Sequence, residues 1–472
     1  MLQAYLLNAN NTGEDISGLA LEFLGIQWSP EEANSLEQTL AAKAHLTQRL
    51  VLELEPKLSE MELTKLYEEI ELPLTVILGQ MELEGIKLHQ EELKHMEREL
   101  EQGISTLEQD IFQLAEESFN INSPKQLGVI LFEKLSLPAL KKTKTGYSTN
   151  AEVLESLVDR HPIIPKLLDY RQLVKLKTTY VDGLQKLMDP KSNRVHTTFN
   201  QTITATGRLS STEPNLQNIP IRIEQGRKIR KAFIPQTEDR ILIAADYSQI
   251  ELRVLTHISE DAKLMEAFKE GQDIHTKTAC EVFQVSPEEV TSELRRRAKA
   301  VNFGIVYGIS DFGLSRDLGI QRGEAKRYIE NYLANYPGVK SYLENVVKEA
   351  RDKGYVTTLL NRRRYLPDLL SRNKNIQNFG ERTAMNTPIQ GSAADIIKLA
   401  MIEVDSMLNQ VDLDCKLLLQ VHDELIFDVA RKDLEEAAKL IKRTMEEALP
   451  LSIPLQVDVK YGPNWYEMTE MD

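Results

Sequence analysis

The chain is organised around one stretch, Ile241-Leu242-Ile243-Ala244-Ala245-Asp246-Tyr247-Ser248-Gln249-Ile250-Glu251-Leu252-Arg253. Its apolar first half predicts a buried strand. Its second half predicts a helix start, with Ser248 as N-cap and Glu251 three residues later completing a capping box. Asp246 lies between the two, at the exit of the strand. A carboxylate in that place is either a capping or turn residue, or a metal ligand held on a rigid base.

Length and composition predict a globular protein of two to four domains, since 42% of the 472 residues are hydrophobic and 27% are charged. The N-terminus lacks the features of a signal peptide, and no apolar run has the roughly 18 residues of a membrane span. Cys280 and Cys415 are far apart and have no CxxC partner, which predicts small buried thiols in a reducing compartment. We therefore expect a cytoplasmic protein.

The net charge of −15 is unevenly distributed, because residues 1–110 hold 22 Asp and Glu but only 7 Lys and Arg. The rest of the chain is balanced and carries its basic residues in clusters, at 141–144, 227–231, 295–299 and 362–364. Each cluster is either a solvated face or part of a phosphate-binding surface, for which local charge matters more than the total.

The order of patterns along the chain predicts a helical first part and a mixed second part. Residues 1–72 and Glu91–Leu114 have acidic, amphipathic helical patterns, and Ser123 followed by Pro124 predicts a further helix start. Beyond Asp189 the pattern changes to strands, so we place a domain boundary near residue 190. The polar segments at 206–211 and 215–220 are either ordinary connections or loops that contact the minor groove of a duplex.

A second informative stretch, residues 295–308, predicts a helix with one unusual stripe. Thr291 or Ser292 can cap this helix and Gly308 can end it. Arg295, Lys299, Phe303 and Tyr307 are spaced four apart, so they share one face. Cations near a helix N-terminus oppose the helix dipole unless an anion binds there. The stripe is therefore either the solvated and core face of an ordinary helix, or a site for phosphates, a sugar and bases. His275 lies upstream as a further phosphate donor or as an ordinary helix-start histidine.

The stretch Leu417–Val429 predicts two strands joined by a tight turn that presents His422, Asp423 and Glu424. These acids are either solvated turn residues or partners of Asp246. Two bare carboxylates at close range repel, and the pKa of one would rise. Two Mg²⁺ ions would remove that repulsion and could bridge both aspartates to a triphosphate.

In combination these motifs resemble the family A DNA polymerases, and closely their Bacillus-type, Klenow-like large fragments with an N-terminal truncation. The matching segments are 246–253, Arg295-x3-Lys299-x7-Tyr307-Gly308, 386–395, 420–424, 206–211, 218–220 and 141–148. The resemblance covers the chain from about residue 75 to the end.

This resemblance implies an α/β right-hand fold with an antiparallel-sheet palm, helical fingers and a helical thumb. It places an exonuclease-like remnant at 1–74, the thumb at 75–190, the palm at 191–290 and 377–472, and the fingers at 291–376. It implies a monomer associated with the nucleoid that extends primer-template DNA with deoxynucleoside triphosphates, using two Mg²⁺ ions, with Mn²⁺ as a substitute. The Arg295–Tyr307 helix is expected to rotate when the fingers close.

The resemblance also assigns roles to individual residues. Catalysis falls to Asp246, Asp423, Glu424 and Lys299, and metal binding to Asp246, Asp423 and the Tyr247 carbonyl. Nucleotide binding falls to Arg295, Lys299, Phe303, His275, Glu251, Tyr307 and Gln249. DNA contacts fall to Arg208, Asn218, Arg222, Asn386, Gln390, His422, Arg382, Ser310, Phe312, Lys141, Lys142, Lys144 and Thr145, among which Ser310, Phe312 and Arg382 match positions that help to part a downstream strand.

Glu251 thus has two interpretations, as a helix cap and as the group that blocks a ribose 2′-OH. Phe303 in place of Tyr implies discrimination against dideoxynucleotides. The family's Tyr-x-x-x-Asp exonuclease motif falls at Leu40–Ala44, where both key residues are apolar, so we expect no 3′→5′ proofreading, and no 5′ nuclease. Two alternatives stay open: a related enzyme that prefers RNA, and a DNA-binding module on a polymerase scaffold that has lost its activity.

Overall fold

A computed structural model describes residues 1–10, 15–32, 35–139, 142–143, 146–220 and 223–471. Within these ranges the chain is a mixture of helices and antiparallel sheet, 62% helical. No helix in the part of the chain that is described is long and apolar enough to cross a membrane. Cys280 and Cys415 are free thiols, and both are half-buried rather than fully buried as the sequence predicted.

The first part of the chain is helical, as predicted. Its helices are α1 (Leu2–Leu7), α2 (Ile16–Leu24), α3 (Leu36–Glu60) and α4 (Leu72–Glu84), with a π-helical segment at Leu66–Glu71. Leucines four apart on α3 and the apolar side of α1 form a core of their own, which also contacts Leu399 and Ile402 further along the chain. Leu40 and Ala44 lie on the exposed side of α3.

The next part is built on a long helix and packs around a second core, formed by residues between Ile111 and Tyr170. Its elements are β1 (Ile86–Leu88), α5 (Gln90–Ala115), α6 (Pro124–Val129), β2 (Lys142–Thr143), β3 (Gly146–Tyr147), α7 (Ala151–Glu155), α8 (Ile163–Lys175) and α9 (Asp182–Leu187), with π-helical segments at Ile130–Lys134 and Leu176–Val181. Ser123 caps α6 by accepting a hydrogen bond from Gln126 N, as predicted.

Apart from the short strands β1, β2 and β3, the strands lie after α9, which agrees with the predicted change of pattern near residue 190. The elements are β4 (Arg194–Val195), β5 (Thr198–Asn200), β6 (Ser210–Thr212), α10 (Glu224–Lys228), β7 (Phe233–Ile234) and β8 (Arg240–Tyr247). A three-stranded sheet in the order β4-β1-β7 ties the two parts of the chain together. The division of the chain into four domains, with the palm in two segments, stays a prediction.

The remaining elements complete a helical layer and the main sheet. They are α11 (Ile250–Ser259), α12 (Ala262–Lys269), α13 (Ile274–Phe283), α14 (Ser292–Val306), α15 (Asp311–Leu318), α16 (Arg322–Asn335), α17 (Pro337–Lys353), β9 (Tyr355–Thr357), β10 (Arg363–Tyr365), α18 (Lys374–Gln410), β11 (Cys415–Val421), β12 (Glu424–Ala430), α19 (Leu434–Glu447), β13 (Val457–Gly462) and β14 (Thr469–Glu470). Single 3-10 turns at Pro30–Glu32, Leu216–Asn218, Ile229–Ala232, Pro287–Glu289, Pro367–Leu370 and Arg431–Asp433 connect elements.

The main sheet is antiparallel, in the order β11-β12-β8-β13-β14. The apolar run predicted as a buried strand is β8, and Ile241–Ala245 are all buried because helices and neighbouring strands cover both faces. The predicted strand, turn and strand at 417–429 are β11 and β12. One continuous core extends from Leu74 to Trp465 and holds the sheet, α11, α14 and α18 together.

The predicted capping box at the start of α11 is wrong. The helix begins at Ile250, and Gln249 precedes it in the left-handed region, with φ +55° and no capping hydrogen bond from a side chain. Glu251 is therefore free of the backbone and turns towards other side chains. The predicted cap of α14 is confirmed, since the Thr291 hydroxyl accepts a hydrogen bond from Leu294 N at 3.2 Å.

Candidate active site

Three acidic residues lie side by side on the main sheet. Asp246 on β8 is paired in register with Glu424 on β12 and with Asp458 on β13, and directly paired residues share one face of a sheet. Asp423 in the β11–β12 turn adjoins them, because its carbonyl accepts a hydrogen bond from Tyr247 N at 3.1 Å. The expected meeting of Asp246 with the second carboxylate is therefore present.

The grouping of acids changes their titration. Loss of hydration, followed by repulsion from Glu424, Asp423 and Asp458, raises the pKa of Asp246 to about 7. The side chain of Asp246 still reaches solvent, so it sits in a recess that is open on one side. Burial also raises the pKa of Asp423 and of Glu424. A site that crowds acids in this way favours the binding of a cation.

Glu424 is held by neighbours that the sequence did not point to. Arg230 Nη1 lies 3.4 Å from one Glu424 oxygen, and Trp465 Nε1 lies 3.3 Å from both. The Arg230 guanidinium stacks 4.0 Å above the Trp465 ring. These contacts restrict the rotation of the Glu424 side chain and partly balance its charge.

The donors of this site suit a hard divalent ion. Asp246 and Asp423 offer carboxylate oxygens, and the Tyr247 carbonyl directly follows Asp246 in the chain. Oxygen atoms are the ligands that Mg²⁺ and Mn²⁺ prefer. Among the residues that the structure describes, no group of three or more His, Cys, Asp or Glu side chains is placed to hold one ion. An ion held here would complete its coordination with backbone, water or substrate oxygens.

A recess of about 270 Å³ joins the acids to the cationic stripe of α14. It is lined by Asp246, Tyr247, Ser248, Gln249, Ile250, Glu251, His275, Arg295, Lys299, Phe303, Asp423 and Asp458. Of the lining residues, only Ser248, Ile250 and Asp458 were not proposed from the sequence. The opposite face of α14 is core, with Ala298, Val301 and Ile305 buried, so the stripe is free to face the recess.

The cations of the stripe are exposed and one of them is held by an acid. Arg295 Nη2 lies 2.7 Å from Asp273 Oδ2, while the other Asp273 oxygen caps α13. Lys299 Nζ lies 5.9 Å from the Phe303 ring centroid. Asp273 thus fixes Arg295 beside the recess, a role that its sequence context, an ordinary N-cap, did not reveal.

His275 is buried and enters the recess as a neutral donor. The Thr278 hydroxyl donates to Asn302 Oδ1 at 3.1 Å, which turns Asn302 Nδ2 towards His275 Nδ1 at 3.0 Å. His275 Nδ1 must then accept, so the ring proton lies on Nε2. Burial lowers the pKa of His275 to about 4, against the opposing pull of Asp273.

Glu251 is almost fully buried at the edge of the recess and accepts hydrogen bonds from neighbouring side chains. Arg208 Nη2 donates at 2.6 Å and the Tyr307 hydroxyl donates at 3.0 Å. Burial raises the pKa of Glu251, although Arg208 acts against that rise. Tyr307 is the residue at which α14 ends, and Gly308 follows it with φ +62°. Gly308 also lets the Arg382 backbone approach, since an added Cβ would lie 3.2 Å from Arg382 Cα.

The other residues proposed to contact DNA are spread around this edge. Asn386 Nδ2 donates to Val306 O at 3.3 Å, Ser310 caps α15 by accepting from Gly313 N at 3.1 Å, and Phe312 is 61% exposed. The Tyr180 hydroxyl donates to Asn218 O. Gln390 and His422 lie near Glu251 and Asp423, and Arg382 lies 5.9 Å from the Phe379 ring centroid.

Five of the basic or polar residues proposed for DNA contact lie wholly or partly outside the described residues. These are Lys141, Lys144, Thr145 and Arg222, together with the side chain of Lys142, whose backbone is in β2. Asp458, Arg230 and Asp273 were not predicted as site residues, although Arg230 belongs to the basic cluster 227–231 and Asp458 has a weak strand signal. It alternates with Val457 and Val459 in a strand pattern, but nothing local identifies the strand that it pairs with.

A sheet that groups carboxylates opposite a cationic helix is the arrangement of a right-hand polymerase, and the solved structures agree. The polymerase domain of Pol1 from M. smegmatis, in complex with DNA primer-template and dNTP, superposes with a TM-score of 0.93 and 44% sequence identity, over 98% of this chain and 81% of that one. Residues 90–467 match the profile of DNA polymerase family A. The chain belongs to DNA polymerase family A.

Curated relatives are similar over almost the whole chain. DNA polymerase I of Bacillus subtilis is 54% identical over 480 aligned residues, which cover 99% of this chain and 54% of that protein. DNA polymerase I of Geobacillus stearothermophilus is 52% identical, over 99% of this chain and 55% of that protein. The chain therefore spans about half the length of the curated relatives that it matches.

Proposed function

We propose that this chain is a DNA-directed DNA polymerase that extends the 3′ end of a primer with deoxynucleoside triphosphates and releases pyrophosphate. The observation that carries the proposal is the recess itself. It brings Asp246 and Asp423 opposite Arg295 and Lys299, so that acids for a cation and cations for a triphosphate face the same space. Family membership and the M. smegmatis Pol1 complex with primer-template and dNTP support the same substrates.

Asp246, Asp423 and the Tyr247 carbonyl are proposed to hold two Mg²⁺ ions, or Mn²⁺ in their place. When bound, such ions would lower the pKa of the primer 3′-hydroxyl and stabilise the leaving pyrophosphate. Glu424 would add negative charge beside the ions. Its contacts with Arg230 and Trp465 hold its side chain in place. Burial and repulsion from the neighbouring acids raise the pKa of Asp246, and a bound cation would relieve that repulsion.

Arg295, Lys299 and His275 are proposed to bind the triphosphate. Arg295 and Lys299 lie one helical turn apart on the exposed face of α14, and the neutral His275 can donate from Nε2 only. Lys299 would offset the charge that develops on the leaving oxygen, because its ammonium stays beside the recess. Phe303, next on the stripe, would pack on the nucleotide sugar and base.

Glu251, Gln249 and Tyr307 are proposed to define the sugar and template sides of the site. Glu251 is buried and held from two sides, so it offers a fixed wall that a 2′-hydroxyl would meet. Tyr307 is 42% exposed at the end of α14 and would stack against the template strand before the nucleotide enters. Rotation of α14 during closure would break the Tyr307–Glu251 hydrogen bond.

The duplex is proposed to lie along Arg208, Asn218, Arg222, Asn386, Gln390 and His422, and to be gripped by the segment 141–148. Ser310, Phe312 and Arg382 are proposed to part a downstream strand, and the exposed Phe312 ring is suited to stacking on an unpaired base. Proofreading is not expected of this chain. The protein is proposed to act as a monomer.

The decisive experiment is Mg²⁺-dependent primer extension by the wild-type chain, Asp246→Ala and the control Asp412→Ala. Asp412 is exposed and follows α18, away from the recess. We expect extension by the wild type and by the control, and none by Asp246→Ala. Equal extension by all three would contradict the mechanism, and preferential use of ribonucleotides would favour the RNA-synthesising alternative.

A further inference from the structure

Four charged residues are enclosed beneath the segment 204–208. They are Glu71, Arg362, Asp395 and Lys398, and none is more than 2% exposed. We call them the buried ionic cluster. Two are basic and two are acidic, so the cluster is neutral, as a buried set of charges must nearly be. They come from four places in the chain: the segment before α4, the β9–β10 turn and two successive turns of α18.

The cluster is closely hydrogen-bonded. Arg362 Nε donates to Asp395 Oδ1 at 2.8 Å and its Nη2 also donates to Glu71. Lys398 Nζ donates to Glu71 Oε1 at 2.7 Å. Outside the four, Thr358 donates to Asp395 Oδ2 at 2.7 Å and Gln201 Nε2 donates to Glu71 Oε2 at 2.9 Å. The guanidinium of Arg362 is therefore fixed in position and orientation.

Arg362 lies directly against the backbone of Gly207. A Cβ added at Gly207 would lie 2.5 Å from Arg362 Nε and 2.9 Å from its Cζ, so any larger residue would displace the guanidinium or the turn. The φ of Gly207 is +84°, a conformation that glycine adopts without strain. The guanidinium thus packs directly against the turn at Gly207.

The same turn is held from its other sides. The Tyr5 hydroxyl donates to Thr204 O at 2.7 Å, and the Thr204 hydroxyl donates to Arg208 O at 2.6 Å. The Thr206 carbonyl abuts α18 at Gly391, where an added Cβ would lie 3.2 Å from that oxygen. The backbone on both sides of Gly207 therefore has little freedom.

The residue after Gly207 is Arg208, which reaches from this turn to the buried carboxylate of Glu251 at 2.6 Å. We propose that Arg362 is a positioning residue for sugar selection: through Gly207 it places Arg208, and Arg208 in turn fixes the wall formed by Glu251. The inference rests on the proposed role of Glu251. Arg362 itself touches neither Glu251 nor the recess.

The test compares Arg362→Lys and Gly207→Ala with the control Arg240→Lys. Arg240 is also a buried arginine between two carboxylates, Asp428 and Asp414, but it lies at the opposite end of β8 from Asp246. Each variant is assayed at a temperature where circular dichroism shows it folded. The measurement is the ratio of kcat/KM for a ribonucleotide to kcat/KM for the matching deoxynucleotide.

We expect the ratio to rise about tenfold in Arg362→Lys and in Gly207→Ala, because small displacements of a substrate-positioning group have large effects on rate. Gly207→Ala keeps all four charges, so it carries the test if Arg362→Lys does not fold. Arg240→Lys is expected to lower stability and leave the ratio unchanged. An unchanged ratio in a folded Arg362→Lys or Gly207→Ala overturns the proposal.

Failure of the underlying function gives a different result. If Glu251→Ala leaves the ratio unchanged, the role of Glu251 is wrong. The link between Arg362 and Arg208 is then tested without activity, by a double-mutant cycle of Arg362→Lys and Arg208→Gln in urea unfolding. Non-additive unfolding free energies support the positioning link, and additive values overturn it.

Discussion

Tyr307 donates its hydroxyl hydrogen to Glu251 across 3.0 Å, from the end of α14 to the first turn of α11. The bond joins the helix that carries the cationic stripe to the strand-and-helix unit that carries Asp246. Glu251 keeps its second hydrogen bond, from Arg208, whether or not Tyr307 is present. The carboxylate can therefore stay in place while α14 moves.

Tyr307→Phe should remove this hydrogen bond between Tyr307 and Glu251 with little effect on the fold. Loss of one hydrogen bond to a charged group costs about 1.5–3 kcal/mol at most, and Tyr307 is 42% exposed, so solvent replaces part of it. We expect a fall in thermal midpoint of a few degrees and faster closure of α14 in stopped-flow fluorescence. Unchanged closure kinetics would show that the bond does not restrain α14.

Phe303→Tyr should increase incorporation of dideoxynucleotides by at least about tenfold in kcat/KM. Phe303 lines the same recess as Lys299 and the acids, and a ring hydroxyl there would supply a polar group where a dideoxynucleotide lacks its own. The measurement is single-nucleotide primer extension with each nucleotide. Phe303→Leu is the matched control, and incorporation by Phe303→Tyr no better than wild type would contradict the assignment.

Asp246→Asn should stabilise the metal-free chain while it abolishes primer extension. Folding raises the pKa of Asp246 from 3.8 to about 7, so the folded chain binds more protons in that window and its stability falls as pH rises through it. After allowance for the solvent-accessible side of Asp246, we expect a gain of about 1 kcal/mol at pH 8 and little at pH 4. Urea unfolding in EDTA at both pH values measures it, and a loss of stability at pH 8 would contradict the repulsion among the acids.

Glu71 should make the chain sensitive to acid. Burial alone would raise the pKa of Glu71, but Lys398 and Arg362 outweigh it and lower the pKa to about 2, from 4.5. The stabilisation is complete above about pH 4.5 and is lost as pH falls towards 2, by about 3 kcal/mol in total. Glu71→Gln should already be destabilised by about 3–5 kcal/mol at pH 7 and lose less on acidification, as measured by thermal unfolding.

No shortening of a mismatched primer 3′ end is expected from the pure protein in Mg²⁺ and the absence of nucleotides. The resemblance places the exonuclease motif at Leu40–Ala44, where both key residues are apolar and lie on the exposed side of α3, so that neither can bind an ion. The measurement is gel analysis of a labelled mismatched primer over hours. Mg²⁺-dependent shortening that persists in Asp246→Ala would refute the expectation.

The sequence predicted the elements whose signal is local. The apolar run of β8, the β11–β12 turn, the cap of α14 and the stripe of four residues all follow from periodicity and short spacing, and the structure confirms them. The capping box at Ser248 and Glu251 was wrong because a distant pair of donors, Arg208 and Tyr307, holds that carboxylate instead.

The rest depended on long-range pairing. Asp458 joins the acids only because β13 lies beside β8, more than two hundred residues away in the chain. Arg230 and Asp273 act through side-chain contacts to Glu424 and Arg295 that no local pattern encodes. Arg362 was one of three adjacent arginines in the sequence, and its burial between two acids distinguishes it from an exposed basic cluster.

Helix α18 is continuous over 37 residues, from Lys374 to Gln410. It presents Arg382, Asn386 and Gln390 near the recess, and one to two turns later Asp395 and Lys398 in the buried ionic cluster. Since each residue turns a helix by about 100°, inserting or deleting one residue between Gln390 and Asp395 would set one group facing away while the other stayed in place. The length of α18 between Gln390 and Asp395 therefore couples the recess to the buried ionic cluster, and a change of one residue there would separate them.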